Sequence, residues 1–386
     1  MTSRPRACLV GVVRPALDVR TFHRHARALA AAGWDVTVVG RDAGARRRED
    51  GVAIVPLPAA RGVGRALLQA RALGAALARR ADVYQVTDVE LLPAARLLAA
   101  TGRPVVWDSV EDYPAYMTLK AWLPRRLRRP AALAVAAVER LAVPRLAAVL
   151  AADADTAARL GLLHPRVVLL HNFPRRDEFA PAAPGAPRRD DVLYHGSLPP
   201  YHLDALARIA IELVRRRPDA RVTLVGHPDS RAAGAAFARA LAAAGVADRV
   251  RLRPRVPFGA IPELVRGART GVVPLPDVPK FRTNAPMKLF ELMAAAVPAV
   301  TSDLPPARRL IGDDDGVVFV PPGEPAAFAD ALAALLGDPA RAERIGRRGR
   351  ELVLARYHWE REAPALVALY DALRRGTRPG PSREAA

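Results

Sequence analysis

The segment from Lys280 to Thr301, KFRTNAPMKLFELMAAAVPAVT, gathers residue types that could handle a phosphorylated ligand. Lys120, Lys280 and Lys288 are the chain's lysines, and the other 56 of its 59 basic residues are arginine, so two lysines this close together depart from the surrounding composition. A compact ammonium acts as a point donor to a phosphate oxygen, whereas a guanidinium offers a fixed fork. Pro286 can open a helix, because a first-turn N–H has no acceptor within the helix to lose. Lys288 and Glu291 then lie three residues apart on one face, near an amino end whose free N–H groups and partial positive charge suit an anion such as a diphosphate. Glu291 could accept hydrogen bonds from a ribose diol. The plain alternative is an exposed ion pair worth a few tenths of a kcal/mol, with Leu289, Phe290, Leu292 and Met293 turned to a core.

Other candidates are scattered. Asp88 follows Thr87 after a short apolar run and reads either as a cleft residue or as a helix cap. Asp108 and Glu111, spaced Asp-x-x-Glu just beyond another run, could bind an acceptor hydroxyl. His23 and His25 stand two apart on one helix and point to different faces, and His171, His195 and His202 are dispersed, so no metal site is expected. Asn172 reads as a cap or turn into Phe173-Pro174. The basic cluster Lys120 to Arg129, with Trp122 and Leu123 near its start, is either a solvated loop or a contact for anionic lipid at about 1 kcal/mol per cation.

These groups need elements to position them, and the hydrophobic pattern supplies them. Apolar runs predict strands at Cys8–Val13, Asp35–Gly40, Val52–Pro56, Asp82–Val86, Pro104–Asp108, Ala147–Ala151 and Val167–Leu170, with a helix from Val19 to Ala32 stopped by Gly33. Near-continuous apolar strands separated by helices imply a parallel sheet covered on both faces. The proline-rich stretch Pro174–Asp191 lacks periodicity and reads as a linker. After it the alternation resumes, with strands at Val192–His195, Arg221–Val225, Val250–Leu252, Gly271–Pro274, Ala299–Thr301 and Val317–Val320. The expectation is α/β: two doubly wound Rossmann-like domains, 1–173 and 192–357, facing a central cleft and joined by the 174–191 linker. A terminal helix over 358–375 would pack back on the first domain, ahead of a flexible tail at 376–386. Such sheets bind ligands beyond the carboxyl ends of their strands.

Composition narrows the classes. With 386 residues, 51% hydrophobic and 25% charged, the chain can bury two cores, and disorder and collagen do not fit. The lone Cys8 excludes a disulfide scaffold and fits a reducing compartment. The net charge of +20 suggests a polyanionic partner, but arginine enrichment beside heavy Ala, Gly and Pro usage is what GC-rich coding produces without selection for binding. The apolar stretch after Met1–Ala7 is too short for a signal core, and Ala131–Ala152 is broken by Glu139, Arg140, Pro144 and Arg145, so no membrane span is expected. A cytoplasmic protein, with peripheral contact at the inner face of the membrane through Lys120–Arg129, is the expectation.

At 286–294 the residues Pro-Met-Lys-Leu-Phe-Glu-Leu-Met-Ala, followed by Val-Pro-Ala-Val at 297–300, resemble the donor-site signature of the group 1, family 4 type, glycosyltransferases with the GT-B fold. Gly316–Gly323, Pro325–Leu336, Arg350–Trp359 and Tyr194–Leu198 are similar to further landmarks of that family. Asp18–Arg20, Ala81–Tyr84, Asp108–Glu111 and His171–Pro174 match more loosely. The resemblance implies transfer of a sugar from a UDP or GDP sugar to an acceptor hydroxyl, with retention of configuration, no metal and no further cofactor. Front-side displacement, in which a leaving-group phosphate oxygen helps deprotonate the acceptor, is the family's usual mechanism. It assigns catalysis to Lys288, Glu291 and Arg282 and donor binding to Gly196, Ser197, Lys280, Thr283, Asn284, Pro286 and Met287. Acceptor candidates are Asp18, Asp88, Asp108 and Glu111. Without a divalent ion, the diphosphate charge would be met by cationic side chains and helix ends.

The departures are specific. Thr283 stands eight residues before Glu291, where many members carry a first glutamate. The turn after Gly196 reads Ser-Leu-Pro-Pro-Tyr-His and lacks the usual arginine and lysine, so Lys280 and Arg282 substitute or donor binding is impaired. Thr87 occupies the place of a histidine-containing pair, and Ala296-Val297 stand where glycine is preferred before Pro298. Envelope polysaccharide, glycolipid or secondary-metabolite assembly in a bacterium is the implied setting, a lipid-linked acceptor included and nucleic acid excluded. The rivals are a nucleotide-sugar epimerase on the same fold and a catalytically dead scaffold that binds polyanions or anionic membrane.

Overall fold

The computed structural model describes residues 4–60, 64–120, 122–183, 185–186 and 188–376, and the statements below concern those residues. Residues 377–386 of the tail expected over 376–386, and the linker prolines Pro184 and Pro187, lie outside them. Close contacts divide the chain into two compact units. The first runs to Asn172 and resumes at Glu360; the second is Phe173–Trp359.

In the first unit, β1 (Arg6–Pro15), β2 (Asp35–Arg41), β3 (Arg47–Glu49), β4 (Val52–Leu57), β5 (Val83–Val86), β6 (Val105–Ser109), β7 (Ala148–Ala151) and β8 (Val167–Leu169) form one sheet in the order β3-β4-β2-β1-β5-β6-β7-β8. Strand β1 pairs in parallel with β2 and β5, and only β3, against β4, runs antiparallel. Strands buried on both faces must be apolar throughout, which is why Cys8-Leu9-Val10 and Val105-Val106-Trp107 occur as runs, all buried. Strand β3 goes beyond the sequence expectation: Arg47-Arg48-Glu49 make a short charged edge that no apolar pattern announces.

The helix after β1 begins at Asp18, whose carboxylate accepts the N–H groups of Arg20 and Thr21 at 3.0 and 3.3 Å. Its first turns, Val19–Ala26, are π-type, and Arg27–Ala31 continue as α-helix. Gly33, at φ +92°, follows as the left-handed terminator. The inward face is partly charged: Arg20, Arg24 and His25 are buried. From Glu360 on, the terminal helix Trp359–Arg375 belongs to this unit, where Tyr370 donates its hydroxyl to Gln85 Oε1 at 2.7 Å and Trp34 Nε1 donates to Asp371 at 3.2 Å.

In the second unit, β9 (Asp190–His195), β10 (Val222–Val225), β11 (Val250–Arg253), β12 (Ala268–Val273), β13 (Ala299–Ser302) and β14 (Val318–Val320) form a parallel sheet in the order β11-β10-β9-β12-β13-β14. The strand order reverses direction beside β9, the place where open α/β sheets hold ligands. Leu206, Leu213, Leu224, Phe328 and Leu332 are among the side chains filling the core, each worth about 1.5–3 kcal/mol on burial.

The segment expected to be a free linker is part of this second unit. Phe179 is fully buried, Phe173 packs edge-on against Phe290 with centroids 4.8 Å apart, and the Pro174 carbonyl accepts the Trp359 N–H at 2.9 Å. Its one aromatic residue, Phe179, sets up no period, yet packs against the unit beside Phe258. Strand β9 accordingly starts at Asp190, two residues before the apolar run. No helix among the described residues is long and apolar enough to cross a membrane.

Candidate functional site

The carboxyl end of β9 turns at Gly196, whose φ of +127° is open to glycine and strained for other residues. A Cβ there would overlap the Lys288 side chain, and a Cβ at Gly226, after β10, would overlap the Gly196 carbonyl. The two glycines therefore let the strand ends and the Met287–Ala294 helix approach closely. That helix begins at Pro286 with no side chain capping its amino end, so its first N–H groups have no side-chain acceptor.

Lys288 reaches back from the first turn to β9. Its Nζ donates to the Tyr194 hydroxyl at 3.1 Å and stands 4.8 Å from the ring centroid. Tyr194 donates to the Ser197 carbonyl at 2.8 Å and lies 2.8 Å from His202 Nδ1. Burial, opposed by the neighbouring Glu291, pushes the Lys288 ammonium down to about 8. Glu291 approaches His195 instead, with Oε2 3.4 Å from Nε2, a buried nitrogen that has no hydrogen-bond partner. Burial, reinforced by Lys288, pushes His195 and His202 down to about 3, so both rings are neutral at pH 7. Lys288 and Glu291 thus both approach β9, the ammonium at Tyr194 and the carboxylate near His195.

The remaining donor candidates divide. Lys280 is buried, with its ammonium 5.3 Å from the Phe281 ring centroid, and Phe281 in turn packs near His202 at 6.0 Å. Thr283 Oγ1 and the Asn284 N–H both donate to the Lys280 carbonyl, at 3.1 and 3.2 Å, and so shape the turn. Ser197 is exposed at the glycine turn, and Met287 is partly buried. Arg282 is exposed and forks Asp277, with Nη2 to Oδ2 at 2.7 Å. Two cavities of this unit, about 660 Å³ around Arg308, Phe319 and Arg348 and about 520 Å³ around Arg188, Arg269 and Arg350, share no residue with the Lys288 cluster.

Of the acceptor candidates, Asp18 and Glu111 come together around Arg14, at 3.7 and 3.8 Å, at the carboxyl end of β1. Asp18 also caps the following helix, as described above. Asp108 is corrected. It is fully buried and forked by Arg20 at 2.8 and 3.0 Å, which leaves no surface for an acceptor. Asp88 neither caps a helix with its side chain nor opens to solvent; Oδ2 accepts the N–H groups of Val12 and Val13 at 2.6 and 2.8 Å, and burial raises its pKa. Sequence reasoning missed Arg14, Tyr194 as a lysine partner, and His202. The one available signal was the i,i+4 spacing of Arg14 and Asp18. Among the described residues, no three His, Cys, Asp or Glu side chains gather as metal ligands would.

A family model described as "Glycosyl transferases group 1" matches residues 189–338, and one described as "Glycosyl transferase 4-like domain" matches residues 19–173. The chain is 31% identical over 195 residues to a D-inositol 3-phosphate glycosyltransferase of Nocardia farcinica, an alignment covering 49% of this chain and 41% of that protein. It thus spans less than half the length of that relative. Among solved structures, sucrose-phosphate synthase from Thermosynechococcus elongatus superposes with a TM-score of 0.77 at 18% identity, over 97% of this chain and 100% of the other. Anabaena HepE, crystallised with UDP-glucose, superposes with a TM-score of 0.71 at 14% identity, over 95% and 99%. Matched in both its parallel-sheet units, and carrying at the head of the Met287–Ala294 helix the lysine and glutamate of the donor signature, the chain belongs to the group 1 glycosyltransferases and has the GT-B fold.

Proposed function

We propose that this chain transfers a sugar from a nucleoside diphosphate sugar to an acceptor hydroxyl, with retention at the anomeric carbon and without a metal. The observation that carries the reading is the Lys288 ammonium at an uncapped helix end beside the Gly196 turn, three residues before Glu291. The helix N–H groups and Lys288 would meet the charge that develops on the leaving diphosphate, with buried Lys280 as the second cation. Glu291 would hold the ribose diol. Thr283, Asn284, Pro286, Met287 and Ser197 shape the donor's surroundings, and Asp18 and Glu111, gathered at Arg14, are the acceptor candidates that remain. A phosphate oxygen of the donor would deprotonate the acceptor, which fits the neutral histidines beside Lys288. Trp122 is exposed beside the arginines of 125–129, and we assign that surface to contact with anionic lipid at the cytoplasmic face, where a glycolipid or polysaccharide acceptor would be met.

The test follows product rather than binding. The chain is incubated with UDP and GDP sugars and candidate polyol, glycolipid and polysaccharide acceptors in the presence of a chelator, and the anomeric proton is read by NMR. A new glycoside with the donor's configuration supports the proposal. Epimerised donor formed without acceptor, or no turnover of any donor, defeats it.

A further inference from the structure

Tyr194 stands where a hydroxyl decides the fate of the site's central cation. In this chain the turn that follows, Ser197-Leu198-Pro199-Pro200-Tyr201-His202, brings aromatic rings rather than cations. The Tyr194 oxygen accepts from Lys288 Nζ at 3.1 Å, while its proton is directed at the Ser197 carbonyl at 2.8 Å. His202 Nδ1 lies 2.8 Å from the same oxygen and 3.3 Å from the Ser197 carbonyl, and His202 Nε2 is buried without a partner. Donor counting settles the tautomer. A proton on Nε2 would be a buried donor with nothing to bond, whereas a proton on Nδ1 is shared between the Tyr194 oxygen and the Ser197 carbonyl. The Tyr194 oxygen then accepts twice, from Lys288 and from His202, and its own proton can turn only to the carbonyl. Gly196 leaves the space through which the lysine side chain passes.

We propose that Tyr194, oriented by His202 and the Ser197 carbonyl, is the positioning residue for Lys288, holding the ammonium at the amino end of the Met287–Ala294 helix for an anionic diphosphate. The inference rests on the donor-site reading above and names what holds its central cation in place. The other groups facing this point are His195 on β9, Lys280 on the Pro279–Arg282 turn, Glu291 on the helix itself and Asp229 beyond β10, whose charge bears on Tyr194. Without the hydroxyl, the ammonium keeps an N–H with no acceptor in desolvated surroundings, and the neutral amine is favoured. The consequence is a change in pH dependence, which loss of packing alone does not produce.

The experiment titrates the full chain with UDP and GDP between pH 6 and 9.5 and follows whichever nucleotide the parent binds. Tyr194→Phe should bind within about threefold of the parent at pH 6.5 and about tenfold more weakly at pH 8. His202→Leu, which removes the orienting donor, should shift in the same direction, and His202→Asn, whose amide can stand where Nδ1 does, should restore the parental profile. A folded Tyr194→Phe chain with the parent's profile overturns the proposal. If that variant does not fold, a His202→Leu profile matching the parent overturns it instead. A parent that binds neither nucleotide fails the donor-site reading itself, a result distinct from a binding parent with an indifferent Tyr194→Phe variant.

Discussion

At Lys288 two effects oppose each other. The Tyr194 hydroxyl holds the ammonium in place, while burial lowers its affinity for a proton, to about 8. Below pH 8 the group is charged and attracts a diphosphate; above it the charge is lost, so nucleotide affinity should fall as pH rises from 8 to 9.5, and Lys288→Met should flatten that limb. The buried histidines give an acid counterpart. His25 is pushed down to about 4 and His195 and His202 to about 3, mainly by burial, so the unfolded chain takes up protons below about pH 6.5 that the folded chain refuses. Stability is therefore fully present above pH 6.5 and declines as pH falls toward 4, which a urea midpoint measured at pH 7 and pH 5 will show. The rarity of lysine made Lys288 legible in the sequence. Tyr194, His202 and Arg14 were not, because their partners are set by which strands lie side by side. Asp108 misled for the same reason: its guanidinium partner, Arg20, is 88 residues away in sequence. Asp108→Ala leaves that guanidinium buried without its carboxylate, only the Leu170 carbonyl still accepting from Nη1, and should cost about 3–5 kcal/mol in denaturant unfolding.

Single positions set how the elements end. The Met287–Ala294 helix closes at Ala296, a non-glycine residue at φ +54°, with the Val297 N–H bonded to the Leu292 carbonyl at 3.0 Å. Left-handed backbone strains alanine, so Ala296→Gly should stabilise the chain by about 1 kcal/mol, read as a raised unfolding midpoint with unchanged slope. The expected strands form close to their expected bounds because two buried faces require unbroken apolar runs. What could not be read carried no apolar pattern: the charged edge β3, and the attachment of the 174–191 segment through the lone aromatic Phe179.

At the scale of the molecule, the two units differ in how the chain builds them. The second is one continuous stretch, Phe173–Trp359, whereas the first depends on the return of the chain from Glu360 for the Tyr370–Gln85 and Trp34–Asp371 bonds. A fragment of residues 173–359 should therefore fold alone and bind nucleotide within about threefold of the whole chain, since the site residues Gly196, Lys280, Lys288 and Glu291 all lie within it. A fragment of residues 1–172 should unfold at lower urea than the same unit in the intact chain. The role of the Lys288 cation at the helix end is tested by calorimetric titration of the parent and of Lys288→Ala with UDP and GDP at pH 7. One of the two nucleotides should bind the parent, and the substitution should weaken it at least about tenfold, as expected for loss of a charge-assisted contact. Equal affinity of parent and variant would contradict it.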